Sequence, residues 1–264
     1  MSPARIAELL QPFLSPISNP CHSESGRRPG EEPAVLSATQ LQSISTYIDL
    51  LLRWNARINL TAIRNPEEIV TRHFAESLFA ARHLFPFHPV SSSVSGARPE
   101  RSRRVVKGLD SASAREVLAR ARSPKPEARL ADLGSGAGFP GLPIKLWAPD
   151  IALTLIESNH KKAAFLREVT RALTLTGVDI QSARAETLAP ATFDVVTLRA
   201  VERFSSILPI AAALLASSGR LALLIASSQL GQAHSTLPHL HWQPPIPIPQ
   251  SKSRLLVVGL TEPQ

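Results

Sequence analysis

The stretch LADLGSGAGFPGLP, Leu130 to Pro143, places glycines at alternate positions 134, 136 and 138 directly after a short apolar run, then adds two prolines and a fourth glycine, Gly141. A main chain so poor in side chains reaches positive φ without strain and lets a flat or charged ligand approach without meeting a Cβ. A helix opening just beyond it would add free N–H groups. An ordinary tight turn has the same composition, and the glycine pattern alone does not separate the two readings.

Placement in the chain separates them. ARLADL, from Ala128, reads as a strand, GFPGLPIKLW opens a helix, IALTLIE is a strand, HKKAAFLREVTRALTL a helix closed by Gly177, and VDIQSAR a strand. FDVVTLRA, RLALLIA and RLLVVGL read as further strands, with the helix RFSSILPIAAALLA after the first and a proline-rich link before the last. Repeated βα units of this kind predict an α/β, Rossmann-like fold, a mostly parallel sheet with helices on both faces. Ligands of such sheets sit at the C-terminal strand ends near the switch point, where the first strand-to-helix turn lies. The glycine turn is therefore expected to cradle a cofactor.

Two cofactor classes fit it. Gly136, Gly138 and Gly141 satisfy the GxGxxG spacing of a dinucleotide fold. Both classes need an acid at the end of the next strand, and Glu157 in LIESN supplies a carboxylate able to accept two ribose hydroxyls. Asp132 distinguishes them, because it turns the motif into DLGSGAG, the DxGxGxG form typical of S-adenosylmethionine-dependent methyltransferases. A carboxylate there suits a cationic cofactor better than a pyrophosphate. Its plainer reading is an acid that stabilises the turn.

The elements that must position this turn begin upstream. LSATQLQSISTYIDLLLRW opens with Ser37 and Gln40 in capping-box spacing and sets Leu41, Ile44, Ile48, Leu51 and Leu52 on one face. Asn65 and Pro66 start a second helix running to about Leu84, with Glu67 and Glu68 in its first turn. With a short helix near Ile6 to Phe13, residues 1–86 read as a helical N-terminal cap, residues 87–127 as a disordered basic insertion, and residues 128–264 as the methyltransferase domain. Arg98 to Arg129 carries six of the eight net positive charges of the 264-residue chain, a balance that points to a polyanionic partner. The single cysteine, Cys21, lies in a polar stretch, which excludes an intrachain disulfide and a cysteine metal site; no metal is expected. No apolar run reaches the roughly 18 residues of a membrane span, and MSPARIAELLQPFL lacks the pattern of a secretory signal. The expectation is a cytoplasmic protein without a membrane partner. Nothing in the sequence fixes the oligomeric state, and a monomer is expected.

LLRWNARINLTAIRNPEEIVTRHFAES, DLGSGAGFPGLPIKL, LIESNHKKAAFLREV, ARAE and FDVVTLRAV occur in this order between Ser37 and Gly219. In these five blocks the chain resembles the ribosomal RNA small subunit methyltransferase G family, also called the glucose-inhibited division protein B family. That resemblance implies S-adenosylmethionine as cofactor and N7 of a guanine in 16S rRNA, alone or in the small ribosomal subunit, as acceptor. It places Gly134, Phe139, Ala185, Glu186 and Arg199 at the cofactor, beside Asp132, Gly136 and Glu157 from the motif itself. N7 is an exposed lone pair that needs no deprotonation, so no catalytic acid or base is assigned, and rate comes from alignment and electrostatics. Glu76 stands where the family usually has Asp, Ser227 and Ser228 where it has Lys-Gly, and the basic insertion is an addition. The alternatives are a nucleotide-dependent oxidoreductase, through GxGxxG, and a non-catalytic RNA-binding module on the same fold, through Ser227 and Ser228.

Overall fold

The structure is a computed structural model that describes residues 1–15, 36–85, 126, 128–199 and 203–262. Cys21 and, apart from Pro126, the basic insertion lie outside the described residues.

Helix α1 (Pro3–Leu14) and helix α2 (Ala38–Asn55) come first. The capping box of α2 is formed: Ser37 Oγ accepts from Gln40 N at 3.2 Å, and Ser37 N donates to Gln40 Oε1 at 2.8 Å. The same Gln40 amide donates to Leu146 O at 2.7 Å, tying the start of α2 to a segment 106 residues further on. Asn55 closes the loop after α2, accepting from Leu60 N and Thr61 N and donating to Thr61 O. The helix expected from Pro66 to Leu84 is continuous but not uniform. It runs as α3 (Pro66–Ile69), one π-helical turn (Val70–Phe74) and α4 (Ala75–Leu84). Single π turns inside α-helices often occur at functional sites, and this one delivers His73 and Phe74 to the interior.

The strands are β1 (Arg129–Leu133), β2 (Ala152–Ile156), β3 (Val178–Gln181), β4 (Phe193–Arg199), β5 (Leu215–Ala226), β6 (His241–Trp242), β7 (Ile246–Pro247) and β8 (Arg254–Leu260). Helices α5 (Gly141–Trp147), α6 (His160–Ala172), α7 (Phe204–Ala213) and α8 (Leu230–Thr236) connect them. The sheet order is β3-β2-β1-β4-β5-β8-β6, with β7 on β8. Strands β1 to β5 are parallel and β8 enters antiparallel beside β5. The order reverses at β1, which has β2 on one side and β4 on the other, so the crevice of the switch point opens at the C-terminal end of β1.

Some boundaries differ from the sequence reading for local reasons. The proline-rich link holds β6 and β7, each too short to show a period of two. The third strand stops at Gln181, and Ala185–Thr187 form a 3₁₀ turn. Helix α7 ends at Ala213, since Leu215 is already bonded into the sheet against Phe193.

One side of the sheet buries Ile6, Tyr47, Phe74, Phe79, Trp147 and Phe165 in a single apolar cluster, so the N-terminal helices share a core with the strands. Trp54 Nε1 donates to Glu168 Oε2 at 3.0 Å, and Trp147 Nε1 to Phe85 O at 3.2 Å. The other side packs Val196, Leu198, Leu208 and Leu223 beneath α7 and α8. Among the described residues no helix is long and apolar enough to cross a membrane.

Candidate cofactor cleft

Strand β1 ends in a bend whose three glycines have φ of +67° (Gly134), +55° (Gly136) and +87° (Gly138). Gly134 N and Ser135 N both donate to Ile156 O, at 2.9 and 3.1 Å, which lays the bend over the end of β2. Glu157 follows directly. Its Oε2 accepts from Gly136 N at 2.9 Å and its Oε1 from Asn159 N at 2.7 Å. Asn159 in turn caps α6, its side chain accepting from Lys161 N and Lys162 N. A carboxylate oxygen has two lone pairs, so each oxygen of Glu157 retains one for a further donor.

A cleft of about 290 Å³ opens here, between Leu133 and Gly134, Ile156 to Ser158, the segment Ala183 to Glu186, and Arg203 with Ile207. Four of the sequence candidates, Gly134, Glu157, Ala185 and Glu186, line it together, and Gly136 hangs on Glu157 at its edge. The remaining three lie elsewhere.

Asp132 is fully buried beneath the bend, not in the cleft. Its Oδ2 accepts from Gly141 N at 3.2 Å and its Oδ1 from Thr197 Oγ1 at 2.9 Å, so it ties the bend and the start of α5 to β4. Burial pushes its pKa up from 3.8 to about 6, against the opposing hydrogen bonds from Thr197 and Gly141. The folded value lies above the unfolded one, so what the fold penalises is the ionised form. That penalty is absent below pH 3.8 and complete above about pH 6. Asp132→Asn keeps an acceptor for Gly141 and lets Thr197 Oγ1 accept while donating to Ala131 O, which it already approaches at 3.3 Å. The variant is expected to melt above wild type at pH 7 to 8, by up to about 3 kcal/mol, with the two curves converging near pH 4. Thermal melts across that range check it.

Phe139 turns its ring into the core. It stacks on Tyr47 at 5.4 Å and on His73 at 4.8 Å, meets Phe74 edge-on, and does not line the cleft. The resemblance places this residue at the cofactor; here its ring faces α2 and the π turn instead.

Arg199, which the resemblance puts at the cofactor, is also buried, its side chain 8% exposed. Its Nη2 donates to Arg72 O at 2.6 Å and Glu76 Oε2 at 3.0 Å, and its Nη1 to His73 Nδ1 at 2.9 Å. Burial pushes the guanidinium below its ordinary range, opposed by the Glu76 charge. Burial likewise pushes His73 down to about 3, aided by the nearby arginines. The neutral ring accepts at Nδ1 and donates from Nε2 to Thr61 Oγ1 at 2.7 Å, which makes it a packing residue bridging the helical region and β4. Glu76 also accepts from Arg72 Nε at 3.3 Å and Arg254 Nη2 at 3.2 Å. The one methylene by which Glu exceeds Asp lengthens the reach from α4 to both β4 and β8.

Three participants were not singled out from the sequence. Thr197 and Asn159 are ordinary strand and cap residues until the turn is folded beside them. Tyr47, the chain's single tyrosine, sits with Ile44, Ile48 and Leu51 on the buried face of α2, and its hydroxyl donates to Ala137 O. Two glycines of the GxGxxG spacing have internal causes. A Cβ on Gly138 would meet Tyr47 and Leu142, and one on Gly141 would lie 2.7 Å from Leu155 Cδ2 and 2.9 Å from Asp132 Oδ2.

A parallel sheet reversing at its first strand, an antiparallel strand inserted beside the fifth, a glycine bend and an anchored acid at the next strand's end define a Rossmann-like methyltransferase fold. The sequence matches the family model for rRNA small subunit methyltransferase G over residues 40–90 and 102–239, and the chain belongs to that family. Ribosomal RNA small subunit methyltransferase G of Xylella fastidiosa (strain 9a5c) is 37% identical over 66% of this chain and 64% of its own length. The protein of the same name from Halorhodospira halophila is 35% identical over 72% and 71%. The chain thus spans just under two thirds of the Xylella relative's length. Among solved structures, a SAM dependent methyltransferase from Aquifex aeolicus aligns with a TM-score of 0.45 at 14% identity, covering 55% of this chain and 88% of that one.

Proposed function

We propose that this protein transfers a methyl group from S-adenosylmethionine to N7 of a guanine in 16S rRNA, acting as a cytoplasmic monomer on the rRNA or the small ribosomal subunit. Membership of the family favours S-adenosylmethionine among ribose-bearing cofactors, and the observation that carries a cofactor of that kind is Glu157. Its carboxylate is held by two main-chain N–H groups at the edge of the glycine bend, with a lone pair left on each oxygen toward a cleft lined by Gly134 and Ala185. This fits a ribose diol lying against an unobstructed backbone.

When bound, the cofactor supplies an electrophilic methyl group. The chain's own residues hold and orient. Glu157 accepts the ribose hydroxyls, Gly134 offers bare main chain at the cleft, and Ala185 and Glu186 close the far wall. The acceptor nitrogen has no proton to lose, so no side chain is assigned to proton transfer, and alignment within a preorganised site accounts for the rate. A net charge of +8 supports a polyanionic substrate. The dinucleotide reading loses its support, because Gly138 and Gly141 are required by Tyr47, Leu142, Leu155 and Asp132 without any pyrophosphate.

Mass spectrometry of 16S rRNA digests from cells with and without the gene tests the reaction. One N7-methylguanosine is expected to disappear with the gene. An unchanged digest overturns the assignment.

A further inference from the structure

We propose that Tyr47 is a positioning residue for the cofactor, acting from the helical region on the glycine bend; the proposal rests on the function given above. Tyr47 lies on α2, fully buried, and its hydroxyl donates at 2.5 Å to the carbonyl of Ala137, the residue between Gly136 and Gly138. The ring has no freedom to withdraw that donor. Phe139 lies parallel to it at 5.4 Å with 4° between planes, and Phe74 stands edge-on at 5.2 Å.

The consequence runs through the peptide plane. A peptide unit is rigid, so fixing the oxygen of Ala137 also fixes the direction of the Gly138 N–H, which closes on Ser135 O at 2.6 Å. The bend is therefore held from two sides at adjacent residues. Glu157 holds Gly136 N from the cleft side, and Tyr47 holds Ala137 O from the core side. Glycines permit many conformations, and the two anchors select one. Burial pushes the Tyr47 hydroxyl well above its usual range, as does the Asp132 charge, so it stays a donor at any working pH.

Tyr47→Phe keeps the stacked ring and removes only the hydrogen bond, leaving the Ala137 carbonyl unpaired. By calorimetry of the full chain, the variant is expected to bind S-adenosylhomocysteine about tenfold more weakly than wild type, the loss of one buried hydrogen bond expressed at the loop. KM for S-adenosylmethionine should rise by the same factor, while kcat at saturating cofactor and KM for the rRNA change less than twofold. Hydrogen exchange should quicken in the peptide covering Gly134 to Phe139 and stay as in wild type across α2 and the sheet. Affinity within twofold of wild type, or weaker binding with protection lost throughout, overturns the positioning role. A wild-type chain that binds no S-adenosylhomocysteine overturns instead the function on which the role rests.

Discussion

Gly138→Ala is expected to lower stability by about 3–5 kcal/mol and to remove measurable S-adenosylhomocysteine binding. The added Cβ would lie 2.6 Å from Leu142 Cδ1 and 3.1 Å from Leu166 Cδ2, and closer still to the Tyr47 hydroxyl. None of the three can yield cheaply. Tyr47 is clamped by Phe139 and Phe74, and both leucines are completely buried. Backbone strain adds to the crowding, since φ at this position is +87°. Gly136→Ala is the control. Its φ is +55°, but the nearest atom to a new Cβ is Gly134 O at 3.7 Å, so only the conformational cost of about 1 kcal/mol applies. Urea denaturation of the two variants should differ by at least about 2 kcal/mol in the order stated. Equal losses would mean that packing against Tyr47 does not set the bend.

The second large effect is expected at Glu76. This carboxylate is 1% exposed and is the hub of ion pairs with Arg72, Arg199 and Arg254, of which Arg199 is itself buried. Breaking a buried pair by deleting one partner leaves an uncompensated charge and costs about 3–5 kcal/mol. In Glu76→Ala three guanidiniums face one another without an anion, and among the described residues the Nε atoms of Arg199 and Arg254 already have no partner. The variant is expected to unfold cooperatively at lower urea, with the loss concentrated where α4 meets β4 and β8. Glu76→Asp restores the charge but shortens the reach, and should recover part of the stability while failing to hold all three arginines. Full recovery in Glu76→Asp would show that the extra methylene has no structural use.

How much of this could be read before folding depended on whether the signal was local. The glycine bend, Glu157 at the next strand's end and the α/β alternation are written in contiguous residues, and one cleft joins Gly134, Glu157, Ala185 and Glu186. Asp132, Phe139 and Arg199 belong to the same motifs, yet their side chains face the interior. The direction of each depends on residues distant in sequence: Thr197 of β4 holds Asp132, Tyr47 of α2 and the π turn pack on Phe139, and the π turn with Glu76 of α4 binds Arg199. Tyr47 was invisible for the same reason. On α2 it is one more residue of the apolar stripe, and its hydroxyl acquires meaning only when Ala137 arrives 90 positions later. Strands β6 and β7 carried too few residues for any pattern.

Titrating the full chain with S-adenosylhomocysteine, and separately with NAD, tests the account at its centre. A single saturable site for the nucleoside, lost in Glu157→Ala, with no heat from NAD, is the result predicted from a bend tethered by Glu157 and glycines already occupied by the protein's own packing. Saturable NAD binding, or nucleoside binding unchanged in Glu157→Ala, would contradict it.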